Sequence, residues 1–123
     1  MPYDEELAGR IRELLADEPS VTEQRMFGGL AFLVGGNMSV AASGQGGLLV
    51  RVDPEESEEL VRTTSARPME MRGRSMPGWL RVESAAVAAA DDLRAWVERG
   101  VAFARAAAEA VTVSDTSRFP NGV

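Results

Sequence analysis

Residues 25–52 run Arg25-Met26-Phe27-Gly28-Gly29-Leu30-Ala31-Phe32-Leu33-Val34-Gly35-Gly36-Asn37-Met38-Ser39-Val40-Ala41-Ala42-Ser43-Gly44-Gln45-Gly46-Gly47-Leu48-Leu49-Val50-Arg51-Val52. Short apolar runs alternate with glycine-rich pairs. Leu30 to Val34 is a buried strand bounded by glycines. Gly35-Gly36 is a two-residue hairpin signal, because both positions tolerate positive φ. Asn37 to Ala42 returns as the next strand, with Met38 and Val40 expected on one face. Ser43 to Gly47 is a second turn, and Leu48 to Val52 a further antiparallel strand. Val21 to Phe27 precedes them as the first strand, and the whole reads as a β-meander. Gly28-Gly29 beside Arg25 invites a phosphate-loop reading. That reading needs a helix after the glycines, often with a lysine. A strand follows instead and the chain has no lysine, so a structural bend or bulge is expected.

Helices flank the meander. Asp4 to Ala16 has acids at its start, where they favour the helix dipole, and Leu7, Ile11, Leu14 and Leu15 at helical spacing. Asp53 is an expected N-cap for a helix from Pro54 to about Thr63. Its acids Glu55, Glu56, Glu58 and Glu59 are expected to face water rather than gather around a cation. Pro68 to Met71 is a short strand, Arg72 to Pro77 a loop, and Gly78 to Val82 another strand. The longest helix is expected over Asp91 to Ala110, with Leu93, Trp96, Val97, Val101 and Ala104 as its apolar stripe. Gly100 inside it costs about 1 kcal/mol against alanine, so a close packing contact is expected there. Fold class is therefore α+β: an antiparallel sheet of about five strands, a meander plus added strands, covered by helices. Residues 1–110 form the domain and 111–123 a flexible C-terminal tail.

At 123 residues and 13.2 kDa the chain is one domain long. It contains no cysteine and no histidine. This composition excludes disulfides, thiol nucleophiles, Ser-His-Asp triads and His-based zinc sites. No cofactor and no transition metal are expected. The chain lacks an apolar run of the roughly 18–20 residues that a membrane span needs. An acidic N-terminus and the missing cysteines make cytoplasm the expected compartment.

Formal net charge is −6, and every cation is arginine. Residues 1–23 hold seven acids against two arginines, whereas 62–83 hold Arg62, Arg67, Arg72, Arg74 and Arg81 against Glu70 and Glu83. An acidic domain is a poor counterion-releasing partner for DNA, so direct DNA binding is not expected.

A second set of residues extends the meander motif: Arg67-Pro68-Met69, Gly73-Arg74-Ser75-Met76-Pro77-Gly78-Trp79, and Trp96-Val97-Glu98-Arg99-Gly100-Val101-Ala102-Phe103-Ala104. In this order, with the 25–52 stretch, they resemble the N-terminal domain of the TfoX/Sxy family over about residues 3–105. The resemblance implies a two-layer, secretion-chaperone-like arrangement of sheet and helices. It also implies a link to regulation of bacterial natural competence. Full-length members carry a second, C-terminal domain, and this chain is expected to be a stand-alone N-terminal domain. The family supplies no catalytic residues.

The segment from Arg67 to Trp79 mixes arginine, methionine and tryptophan, types enriched at interface centres. The expected partner-binding residues are Arg67, Arg72, Arg74 and Trp79, joined by Arg25 and Phe27 if the first strand lies alongside. The expected function is a small non-enzymatic regulatory domain acting through contacts with a protein partner. The alternatives are an enzyme or accessory domain using Arg, Asp, Glu or Ser chemistry, and nucleic-acid binding through the 62–83 arginines. A homodimer is expected, because a meander leaves edge strands open to pairing.

Overall fold

A computed structural model describes residues 3–26 and 28–122, with side chains up to Glu109. Helix α1 (Glu5–Leu14) is capped by Asp4, whose carboxylate accepts from the Glu6 and Leu7 amides at 3.0 and 3.1 Å. Six strands follow: β1 (Val21–Met26), β2 (Gly29–Val34), β3 (Asn37–Ala42), β4 (Leu48–Arg51), β5 (Arg67–Met71) and β6 (Arg74–Val82). Helix α2 (Pro54–Thr63) lies between β4 and β5, and a 3-10 turn, Ser84–Val87, leads to helix α3 (Ala90–Gly122). The α3 backbone thus continues past Ala110, the helix end expected from the sequence.

The strands form one antiparallel sheet in the order β1-β2-β3-β4-β6-β5. This is the expected α+β architecture with one strand more than about five. The glycine pair after Phe27 closes a hairpin: Met26 pairs with Gly29, and Gly28 has φ +75°. Phe27 itself lies outside the described residues.

Alternation along each strand divides the apolar side chains between two faces. One face carries Leu30, Phe32, Val40, Leu48, Val50, Leu80 and Val82 against Leu7 and Ile11 of α1, Leu60 of α2, and Leu93, Trp96, Val97 and Val101 of α3. The other holds a smaller cluster of Ala31, Met38, Ala41, Leu49 and Met69, with Met26, Leu33, Met76 and Trp79 against it. Met38 and Val40 therefore do not share a face as the alternation suggested. Phe32 pairs with Val40 but Leu33 with Met38, which leaves Ser39 as an extra residue in β3. The buried Ser39 hydroxyl donates to the Phe32 carbonyl at 2.7 Å and satisfies the bulge.

Gly100 carries the close contact expected of it. A Cβ there would lie 2.4 Å from the Ser39 carbonyl oxygen and 2.8 Å from a Val40 methyl. The missing side chain lets α3 lie directly on the bulged strand.

Candidate functional site

The segment read as a loop from Arg72 to Pro77 belongs instead to a β-hairpin. Met71 pairs with Arg74, and Arg72 and Gly73 have φ +55° and +77°, the two positive values of a type I′ turn. Met76 and Pro77, read as part of that loop, lie inside β6, where the pairing with β5 opens. Pro68 pairs with Leu80 and Glu70 with Ser75, so Met76 to Trp79 stand opposite Met69 alone.

The arch so formed is pinned to α2 and β4. Gly78 donates its amide to Ser57 Oγ at 2.6 Å, and its carbonyl accepts from the Val52 amide at 2.9 Å. Its φ is +85°, and a Cβ would meet the Val52 carbonyl oxygen at 2.9 Å. Only glycine fits this position without strain. Between the arch and α2 runs a groove of about 390 Å³, lined by Pro54, Val61, Pro68, Met76, Pro77 and Trp79, with Ser57 and Glu58 on the helix side.

Arg51, the last residue of β4, stands beside this groove. Its guanidinium lies 4.5 Å from the ring centroids of both Trp79 and Phe103, and Nη1 donates to the Gly78 carbonyl at 3.2 Å. Desolvation lowers its pKa from the ordinary arginine value, and the group remains a cation at neutral pH. Among the described residues no carboxylate forms an ion pair with it. The charge is held by the quadrupoles of two rings and one carbonyl dipole.

The other expected residues are distributed as follows. Arg72 and Arg74 are exposed at the hairpin tip, and their side chains make no hydrogen bond, ion pair or ring contact with the described residues. Arg67 lies at the far end of β5 and pairs with Glu83 at 2.8 Å. Arg62 pairs with Glu59, and Arg81 donates to Ser43 Oγ and the Gly46 carbonyl. Trp79 is half-buried, packed on the second cluster and lining the groove. Arg25 is exposed on β1, which pairs with β2 and forms the sheet edge opposite β5. The condition for Arg25 to join the hairpin residues is not met. Glu55, Glu56, Glu58 and Glu59 are all exposed.

Arg51, Phe103 and the α2 wall of the groove escaped the sequence reading. A signal for Arg51 was present: it is the one charged residue in the otherwise apolar run Leu48 to Val52. Nothing in the sequence joins it to Phe103, which is distant along the chain.

No helix among the described residues is long and apolar enough to cross a membrane. No curated protein matches the chain. The TfoX N-terminal domain family matches residues 13–104, a span that holds all six strands, α2, the part of α3 before Arg105 and the groove residues. By that match, over most of its length, the chain belongs to the TfoX N-terminal domain family.

Proposed function

We propose that this is a small, non-enzymatic cytoplasmic domain of the TfoX N-terminal type that acts by docking a protein partner at the β5–β6 hairpin. The observation that carries the reading is the apolar groove between α2 and β6, with Trp79 in its wall and the two uncommitted arginines at the hairpin tip. Aromatic and methionine side chains supply adaptable apolar contact. Arg72 and Arg74 would steer an acidic partner towards the groove.

The polar groups of the groove favour binding over catalysis. Ser57 Oγ is engaged by the Gly78 amide, and Glu58 is an exposed helix residue. Neither is arranged as an activated nucleophile with its base. Direct DNA binding has weaker support, because Arg62, Arg67 and Arg81 already have partners within the chain. Two free arginines would neutralise few phosphates.

The test is partner capture from the native host by the wild-type chain, Met76→Glu, and Arg72→Ala/Arg74→Ala, each checked for an unchanged melting temperature. The expected outcome is one co-purifying protein lost with Met76→Glu and reduced with the arginine pair. Capture indifferent to both variants sinks the proposal.

A further inference from the structure

The two edges of the sheet are unequal. β5 carries Pro68, which has no amide proton to offer, and its ladder to β6 is broken after that residue. β1, Val21–Met26, is six residues long, contains no proline and pairs without a bulge to β2. Its central residues Thr22, Glu23, Gln24 and Arg25 are all exposed.

The β1–β2 register identifies which backbone groups are free. The Gly35 amide donates to the Ser20 carbonyl at 3.1 Å, at the position that continues the β1–β2 register. Bonded pairs alternate in an antiparallel ladder, so Thr22, Gln24 and Met26 face β2. Val21, Glu23 and Arg25 direct their amides and carbonyls away from the sheet. Among the described residues, no backbone hydrogen bond outside the ladder involves any of these three.

We infer that β1 pairs antiparallel with β1 of a second copy of this chain, on a two-fold axis passing beside Gln24. The charges select this register. An antiparallel pairing must set outward-facing residues opposite one another. Centring it on Glu23 opposes two glutamates, and centring it on Arg25 opposes two arginines; both are repulsive. Centring it on Thr22 leaves Arg25 unmatched. Centring it on Gln24 sets Glu23 of each copy against Arg25 of the other, twice, and makes these the hydrogen-bonded pairs.

Arg12 adds to this arrangement. It donates to Glu23 through Nε at 2.6 Å and Nη2 at 2.9 Å, fixing the carboxylate at the edge. The Arg25 side chain, on the same face two residues later, forms no ion pair or hydrogen bond with the described residues. The second copy's Arg25 would complete an Arg-Glu-Arg row on each side of the axis. The contact is self-complementary, as a two-fold interface requires, and joins the two sheets into one. Six residues a side make a short strand pairing, for which a dissociation constant in roughly the micromolar range is expected.

Sedimentation velocity on the full chain over a micromolar dilution series tests the inference. The wild-type chain is expected to move from dimer to monomer mass on dilution. Arg25→Glu should raise the dissociation constant at least about tenfold at an unchanged melting temperature. Glu23→Arg should do the same. An equimolar mixture of the two variants should associate again, because each pair then brings opposite charges together. Since the exposed Arg25 side chain has no ion-pair partner among the described residues, Arg25→Glu decides the question even if Glu23→Arg folds poorly beside Arg12. A wild-type monomer at every concentration, or a dimer indifferent to Arg25→Glu, overturns the inference. So does the absence of re-association between two folded variants. Arg25→Glu should leave capture at the β5–β6 hairpin unchanged, which separates this interface from the proposed partner site.

Discussion

The Arg51 guanidinium stacks 4.5 Å from the Trp79 ring centroid, on the strand pair that joins the meander to the hairpin. Phe103 of α3 lies at the same distance from it. One arginine thus ties strand β4, hairpin strand β6 and the long helix together. Arg51→Lys keeps the charge but loses the flat surface that two rings can share. It is expected to destabilise the fold by about 1–2 kcal/mol in urea unfolding. Arg74→Lys, at the exposed hairpin tip, should change stability by less than about 0.5 kcal/mol. Equal effects of the two substitutions would remove the structural role of the stack.

Glycine-to-alanine substitutions in two helices should have opposite signs. Gly9 in α1 has nothing within 4 Å of the Cβ it would carry. Gly9→Ala should therefore stabilise by up to about 1 kcal/mol, the difference in helix propensity. Gly100→Ala gains the same propensity but drives a methyl against the Ser39 carbonyl in the middle of the sheet. Overpacking against backbone costs about 1–3 kcal/mol, so a net loss is expected. Thermal melts of the two variants side by side check the pair.

Arg72 occupies a left-handed position that costs a non-glycine residue about 1–2 kcal/mol. Asparagine tolerates the same φ through local hydrogen bonding. Arg72→Asn is expected to raise stability by about 0.5–1 kcal/mol and, on the proposed function, to weaken partner capture. Stability and binding would then move in opposite directions at one residue. A destabilised Arg72→Asn chain would show that the turn is not the strained element.

The edge ion pair has a pH signature. The hydrogen bond from Arg12 holds the Glu23 carboxyl below its ordinary value of 4.5. A carboxyl depressed by folding contributes stability above its unfolded value and loses it as pH falls towards the folded one. Glu23→Gln should therefore lower stability near pH 7 by a few tenths of a kcal/mol, about what so exposed a pair contributes, read as a slightly lower melting temperature. The difference from wild type should shrink as pH falls below 4.5. The comparison needs one fixed protein concentration, because association through β1 would itself shift the melt. A difference that persists or grows in acid contradicts the assignment.

Local chemistry made much of the fold legible. Glycine pairs marked the meander turns, Asp53 and Pro54 marked the start of α2, and the apolar stripe marked α3. The hairpin arch was not legible. Pro77 ordinarily punctuates a loop, and the Gly78 amide bond to Ser57, the bonds to its carbonyl from Val52 and Arg51, and the pairing of Trp79 with Arg51 hold β6 extended beside it. The face of Met38 was not legible either, because a bulge shifts alternation by one residue without a compositional mark.

The sequence by itself determined the class of the fold, the Asp53 cap of α2, the meander turns and the exclusion of His- and Cys-based chemistry. These depend on neighbours a few residues apart or on composition alone. Tertiary structure decided which arginines are free, which are paired, and which edge of the sheet is open. Arg67 is neutralised by Glu83, Arg51 is held by rings from β6 and α3, and Arg25 is carried to the edge opposite the hairpin. Strand order and crossing helices set those relationships, and the free energy of a charge depends on what lies within a few ångströms of it in space rather than along the chain.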